Sequence, residues 1–149
     1  MKKLKIGLLS YRSDPFSGGQ GIYVKNVSEA LLNRGHEVTI FSGKPLPVVD
    51  ERIKVVEIIT PGYFETFNSL ERFKIFQAQE KTRLNLWDFI ETFTGTFTEP
   101  IFFGDRLLQN KEFANSADSY DVFHDNQSIS AYPDSITKKL VTTLHHPIH

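Results

Sequence analysis

The chain has 149 residues, 40% hydrophobic and 23% charged, the proportions of one globular domain with an ordinary core. A net charge of −1 excludes the basic face of a protein that binds nucleic acid by neutralising phosphates, and the absence of cysteine excludes disulfide scaffolds and cysteine metal sites. No stretch approaches the ~20 apolar residues of a membrane span, and the first apolar run is too short for a secretory signal. The expectation is a cytoplasmic protein.

Residues 4–11 form an apolar run of strand length, with the first strand at about residues 5–10. The run ends in the turn residues Ser13, Asp14, Pro15, Ser17, Gly18, Gly19 and Gly21. From about Gly21 to Arg34 the period becomes helical: Val24, Val27 and Leu31 share one face, with Ala30 beside them. Gly35 stands just past that helix, in the C′ position that favours positive φ. Residues 38–41 and 53–59 read as the second and third strands, the latter rich in β-branched side chains. Strand, helix and strand within about forty residues make a parallel unit with a right-handed crossover.

Residues 44–50 are a connection containing proline, and from Pro61 to Ser119 the strand signals vanish. Asn68 followed by Glu71 resembles an asparagine version of the capping box. It opens a long helical stretch, with room for one break, to about Phe93. Thr94-Gly95-Thr96 interrupts it, and a second helix starts after Pro100 and ends before Asp118. Strands resume at residues 121–124 and 140–144. The order β-α-β-β-α-α-β-α-β predicts an α/β fold with a doubly wound, mostly parallel, Rossmann-like sheet. In the strand order 3-2-1-4-5 the last strand becomes an uncovered apolar edge.

Four groups of residues carry candidate chemistry. Ser17-Gly18-Gly19-Gln20-Gly21 joins the first strand to the first helix, where glycines admit a phosphate to unpaired backbone N–H groups. The segment imitates a dinucleotide fingerprint poorly. Its third position is Val24, Arg12–Gly18 is too long for a tight turn, and the second strand ends in Phe41-Ser42-Gly43 without a ribose-holding acid. Phosphate or sugar contact and a merely structural turn both stand. Residues 145–149 hold three histidines after a strand end. A substrate contact, a solvated loop and a metal site are the readings there, and no metal is expected, since close spacing alone gives no ligand geometry. His124, Asp125, Asn126 and Gln127 crowd another strand's C-terminal end with hydrogen-bonding groups that suit a polyol, although Asx residues also form ordinary turns. Finally, 11 of the 19 aromatic residues lie between Tyr63 and Phe103. The helical spacing of Phe73 and Phe76, and of Trp87, Ile90 and Phe93, predicts core packing, with an apolar acceptor groove or membrane-surface face as the alternative.

The stretches Lys5-Ile-Gly-Leu-Leu-Ser10, Gly18-Gly-Gln-Gly-Ile-Tyr-Val24 and Leu31-Leu-Asn-Arg-Gly-His-Glu-Val-Thr-Ile-Phe41 resemble the N-terminal domain of family-4 glycosyltransferases. So do Thr94-Gly-Thr-Phe-Thr-Glu-Pro100, Tyr120-Asp-Val-Phe-His-Asp-Asn-Gln-Ser128 and Val141-Thr-Thr-Leu-His-His-Pro147. These are retaining, nucleotide-sugar-dependent enzymes of the GT-B architecture, with two Rossmann-like domains facing a cleft. The resemblance implies that Gly18, Gly19, Gln20 and Gly21 approach the donor's phosphates. It implies that His145 matches the active-site histidine near the transferred sugar, and that Asp125, Asn126, Gln127 and His146 line the acceptor side. No cofactor is implied, since the nucleotide sugar is a substrate. The family's second domain, which binds most of the donor and carries paired glutamates, has no counterpart in this sequence. The expectation is therefore an incomplete N-terminal half, inactive alone, completed by a C-terminal domain or a separate subunit. The rival expectation is a standalone module that binds a glycan or a phosphorylated ligand without chemistry.

Overall fold

The computed structural model describes residues 2–16 and 19–145. Within these residues five strands, β1 (Lys5–Ser10), β2 (Glu37–Ser42), β3 (Lys54–Glu57), β4 (Val122–Asn126) and β5 (Leu140–Thr143), form one sheet in the order β3-β2-β1-β4-β5. Every pairing is parallel, so all five C-terminal ends lie along one edge. The expected strand order holds, and the sheet is wholly parallel.

Among the described residues six α-helices accompany the sheet: α1 (Gly19–Asn33), α2 (Ser69–Ala78), α3 (Arg83–Glu91), α4 (Glu99–Gln109), α5 (Lys111–Ser116) and the single turn α6 (Asp134–Thr137). On one face of the sheet, Ile6, Leu8, Val38 and Ile40 pack with Val24 of α1. On the other, Leu9, Phe41 and Phe123 pack with Phe103 and Leu107 of α4 and Phe113 of α5. A central parallel strand is buried on both faces, which is why residues 4–11 read as nearly continuous apolar sequence. The end of α1 follows the Schellman pattern. Gly35 has φ 86°, its N–H donates to the Leu32 carbonyl, and the His36 N–H donates to the Leu31 carbonyl.

The middle of the chain departs from expectation. The first predicted stretch is a hairpin of α2 and α3, broken where Thr82 caps α3 by accepting from the Asn85 N–H. Asn68 does cap α2, through the Leu70 N–H, but the expected capping box does not close: the Asn68 N–H donates to Thr66 Oγ1, and the Glu71 carboxylate accepts from the Thr66 hydroxyl instead. The second stretch is also two helices. Asn110 ends α4 and accepts from the Phe113 N–H to start α5, so the break lies at a residue that prefers a cap to a helix interior. Helix α4 also begins at Glu99, with Pro100 inside its first turn, rather than after the proline.

The aromatic residues do not all form core. Phe89 gathers Tyr63, Phe73, Phe76 and Phe93 around its ring, but of the residues expected in the core Phe73, Trp87, Ile90 and Phe93 are all exposed, Trp87 and Phe93 by 57%, and Phe67 is 89% exposed. Buried polar groups hold the hairpin instead. Arg72 donates to the carbonyls of Tyr63, Thr66 and Thr92, and Asp88 takes a 2.5 Å ion pair from Arg106 and a 2.6 Å hydrogen bond from Thr98. Strand β5 is the predicted edge, with Val141 and Leu144 exposed. Among the described residues, no helix is long and apolar enough to cross a membrane.

Candidate functional site

Parallel pairing brings the ends of β1, β4 and β5 together, and strand alternation sorts their side chains. His124 and Asn126 face α1, while Phe123 and Asp125 face α4 and α5. The two sets of predicted polyol contacts are therefore on opposite faces of the sheet.

On the α1 side, Tyr23 reaches down from the first turns of its helix. Its hydroxyl lies 3.0 Å from Thr143 Oγ1 and 3.4 Å from His124 Nε2, and His124 Nε2 lies 2.8 Å from Thr143 Oγ1. The Tyr23 ring also meets His145 edge-on, with centroids 4.8 Å apart. His145 follows β5 and is tied twice to the C-terminal end of β4, at its last residue and at the one after it. Its backbone N–H donates to Gln127 Oε1 at 3.0 Å, and its Nε2 lies 2.6 Å from Asn126 Oδ1. Gln127 takes φ 57°, a left-handed conformation that a non-glycine residue adopts at a cost. The strained residue is the one that grips the histidine. His124 titrates below its ordinary value because it is buried and because His145 sits near it.

On the other side, Asp125 is 1% exposed. One carboxylate oxygen accepts from the Ser128 N–H, and the other accepts from the hydroxyls of Ser128 and Tyr132. Burial raises its pKa, with those hydrogen bonds opposing the shift. What Asp125 does in this arrangement is hold the turn that presents Gln127.

The glycine loop lies beside the same edge. Gly18 and His146 lie outside the described residues, as do the other members of the histidine tract beyond His145. Among the described residues, a Cβ at Gly19 would meet nothing within 4 Å, so none of them requires a glycine there. At Gly21 a Cβ would sit 1.8 Å from the Asp14 carbonyl oxygen, which makes Gly21 the residue of close backbone approach. The Gln20 side chain is engaged with the Tyr11 hydroxyl, and burial raises that tyrosine's pKa. Loop and histidine are linked through Ser10. Its hydroxyl donates to the Arg12 carbonyl at 2.8 Å, and Asn126 Nδ2 approaches it at 3.4 Å.

Sequence reasoning missed Tyr23, Thr143 and Ser10, which look like ordinary helix and strand residues until the register is known. It also missed Glu99 as a charged member of this edge. Glu99 is buried at the start of α4, 3.9 Å from Arg12 of the glycine loop, and burial raises its pKa against the pull of that guanidinium. The signal available was an acid directly before a proline at a helix start. A separate cleft of about 630 Å³ opens away from these residues, lined by Gln79, Asn85, Arg106, Asn110 and Lys111 among others.

No family model matches the chain. It is 36% identical over 150 aligned positions to the MMP alpha-(1->4)-mannosyltransferase of Mycolicibacterium hassiacum, an alignment that takes in 97% of this chain and 35% of that protein. The chain thus spans about a third of the length of the curated relative it matches, and over that span it is similar to a glycosyltransferase from end to end.

Proposed function

We propose that this chain is the N-terminal, acceptor-side domain of a retaining family-4 glycosyltransferase of GT-B architecture. The complete enzyme would move a sugar from a nucleotide donor to an acceptor, in the cytoplasm. The carrying observation is identity of 36% across 97% of the chain with a mannosyltransferase. The site geometry supports it, because a histidine held by three neighbours stands at the sheet edge where open α/β folds bind ligands. A mannose donor is the first choice by the same likeness.

In this reading His145 contacts the transferred sugar and Asn126 and Gln127 set its pose. Gly18, Gly19 and Gly21 admit the donor's phosphates to the N-terminus of α1, where unpaired N–H groups and the helix dipole favour an anion. The donor-holding half and its paired glutamates lie outside this sequence. The test has two arms. The purified chain is assayed with a panel of nucleoside-diphosphate sugars, and no turnover is expected. The chain is then assayed with the polypeptide encoded directly downstream, where nucleotide release that depends on His145 is expected. His145-dependent transfer by the chain alone would overturn the reading of an absent donor half. No release with any donor in the second arm would overturn the transferase reading itself.

A further inference from the structure

We propose that Asn126 is a positioning residue that fixes the proton on His145, holding it on Nε2 and leaving Nδ1 as the ring's open acceptor. This rests on the proposed function only for the identity of the ligand, not for the proton itself.

The argument is a proton count along one chain of contacts. It starts at a backbone carbonyl, which can only accept. The Ser10 hydroxyl has one hydrogen and gives it to the Arg12 carbonyl at 2.8 Å. Ser10 Oγ therefore faces Asn126 with lone pairs alone. The Asn126 amide must turn its Nδ2 toward Ser10, at a long 3.4 Å, which turns Oδ1 toward His145. An amide oxygen has no hydrogen, so its 2.6 Å contact with His145 Nε2 requires the hydrogen to be on Nε2. Reversing the amide would set its oxygen against the Ser10 lone pairs. The two links that orient the amide are closed to water, since Ser10 is fully buried and Asn126 is 3% exposed, while His145 itself is half-buried.

The consequence is chemical. With Nε2 committed to Asn126, a neutral His145 can only accept at Nδ1, so the ligand group it selects is a hydroxyl that donates, such as one on a sugar ring. The backbone grip of Gln127 and the Tyr23 ring hold the imidazole in that pose. Asn126 thereby acts through the histidine and need not touch an acceptor.

The test is nitrogen NMR of the chain labelled with ¹⁵N-histidine, at about pH 8, above the ordinary histidine pKa of ~6.5. The His145 signals are assigned by their loss in His145→Asn. The expected spectrum shows His145 wholly as the Nε2–H form, with a ring proton that exchanges slowly with water. Asn126→Ala should speed that exchange at least tenfold and let the ring average between its forms. Ser10→Ala is the second variant, because it keeps Asn126 in place and removes only the hydroxyl that orients its amide. It should move the spectrum in the same direction. An Nδ1–H form in the native chain overturns the proposal, as does a ring proton unaffected by both substitutions. The spectrum is read without ligand, so the proton assignment stands or falls apart from the transferase reading, which the donor assay decides.

Discussion

Replacing Gly21 by alanine should damage the fold, while the same change two residues earlier should not. At Gly21 the new Cβ would lie 1.8 Å from the Asp14 carbonyl oxygen, 2.5 Å from the Asp14 carbonyl carbon and 2.9 Å from the Ser13 carbonyl carbon. Relief to an ordinary contact needs a shift of roughly 1.6 Å between two stretches of backbone. No flexible side-chain end is available to give way. Overpacking of this kind costs ~1–3 kcal/mol, and a backbone clash belongs at the upper end. For a chain of this size, about 3 kcal/mol corresponds to a fall in Tm of roughly 6–12 °C. At Gly19 nothing among the described residues lies within 4 Å of the new Cβ, and alanine is the better helix former by up to ~1 kcal/mol. Gly19→Ala should therefore leave Tm unchanged or raise it by a few degrees. Differential scanning calorimetry of the two variants beside the parent measures the contrast. If Gly21→Ala melts within about 2 °C of the parent, Asp14 and Gly21 are not packed as described, and the argument from close approach fails. Under the proposed function, Gly19→Ala in the chain completed by its donor-holding half should raise the donor KM without a matching loss of Tm. Equal losses in both would return the loop to a structural role.

Three other outcomes are expected. Asp88→Ala strands the nearly buried Arg106 guanidinium and should cost ~3–5 kcal/mol in denaturant unfolding, whereas the paired change Asp88→Leu with Arg106→Met should cost much less; equal costs would deny the ion pair its role. His124 titrates below its ordinary 6.5 in the folded chain, so on acidification the unfolded chain takes up this proton first. Its contribution to stability is complete above about pH 6.5 and is lost as pH falls below it. Tm should drop across that window, and His124→Gln should flatten the drop; an identical profile in the variant would remove His124 as the cause. In native-state hydrogen exchange the amides of β5 should exchange faster than those of β1, because β5 is paired on one side only and carries the exposed Val141. Equal protection would show that the edge strand is as firmly held as the centre.

The sheet was readable because its signals are local. Residues 6–9 run without polar alternation, as a strand buried on both faces must, and Gly35 marks the helix end by a backbone conformation glycine enters freely. The four-helix middle was harder. Asn110 and Thr82 stop helices through side-chain caps, and each looks like one more polar residue on a helix surface until the N–H it accepts from is known. In the site, the cluster after β4 was visible as a crowd of polar residues. Its division into Asn126, which meets His145, and Asp125, which holds a buried turn, depends on strand parity relative to α1. That parity is set by packing, not by composition. Tyr23 was invisible for the same reason, since only the parallel register of β4 and β5 brings His124 and Thr143 under its hydroxyl.

The α2–α3 hairpin is fastened to the rest of the molecule by few means. Its rings pack largely on one another around Phe89, and its main bond to the body runs from Asp88 of α3 to Arg106 of α4 and to Thr98 before it. A unit that keeps its apolar contacts to itself can come away without taking the sheet with it. Mild heat or low denaturant should thus release a peeled form in which β1 to β5 remain paired. In that form the turn at residues 79–82 would become the first point of protease cutting. Loss of the far-ultraviolet helical signal would then precede the collapse of the core, and the molecule would melt in two stages although it has one sheet.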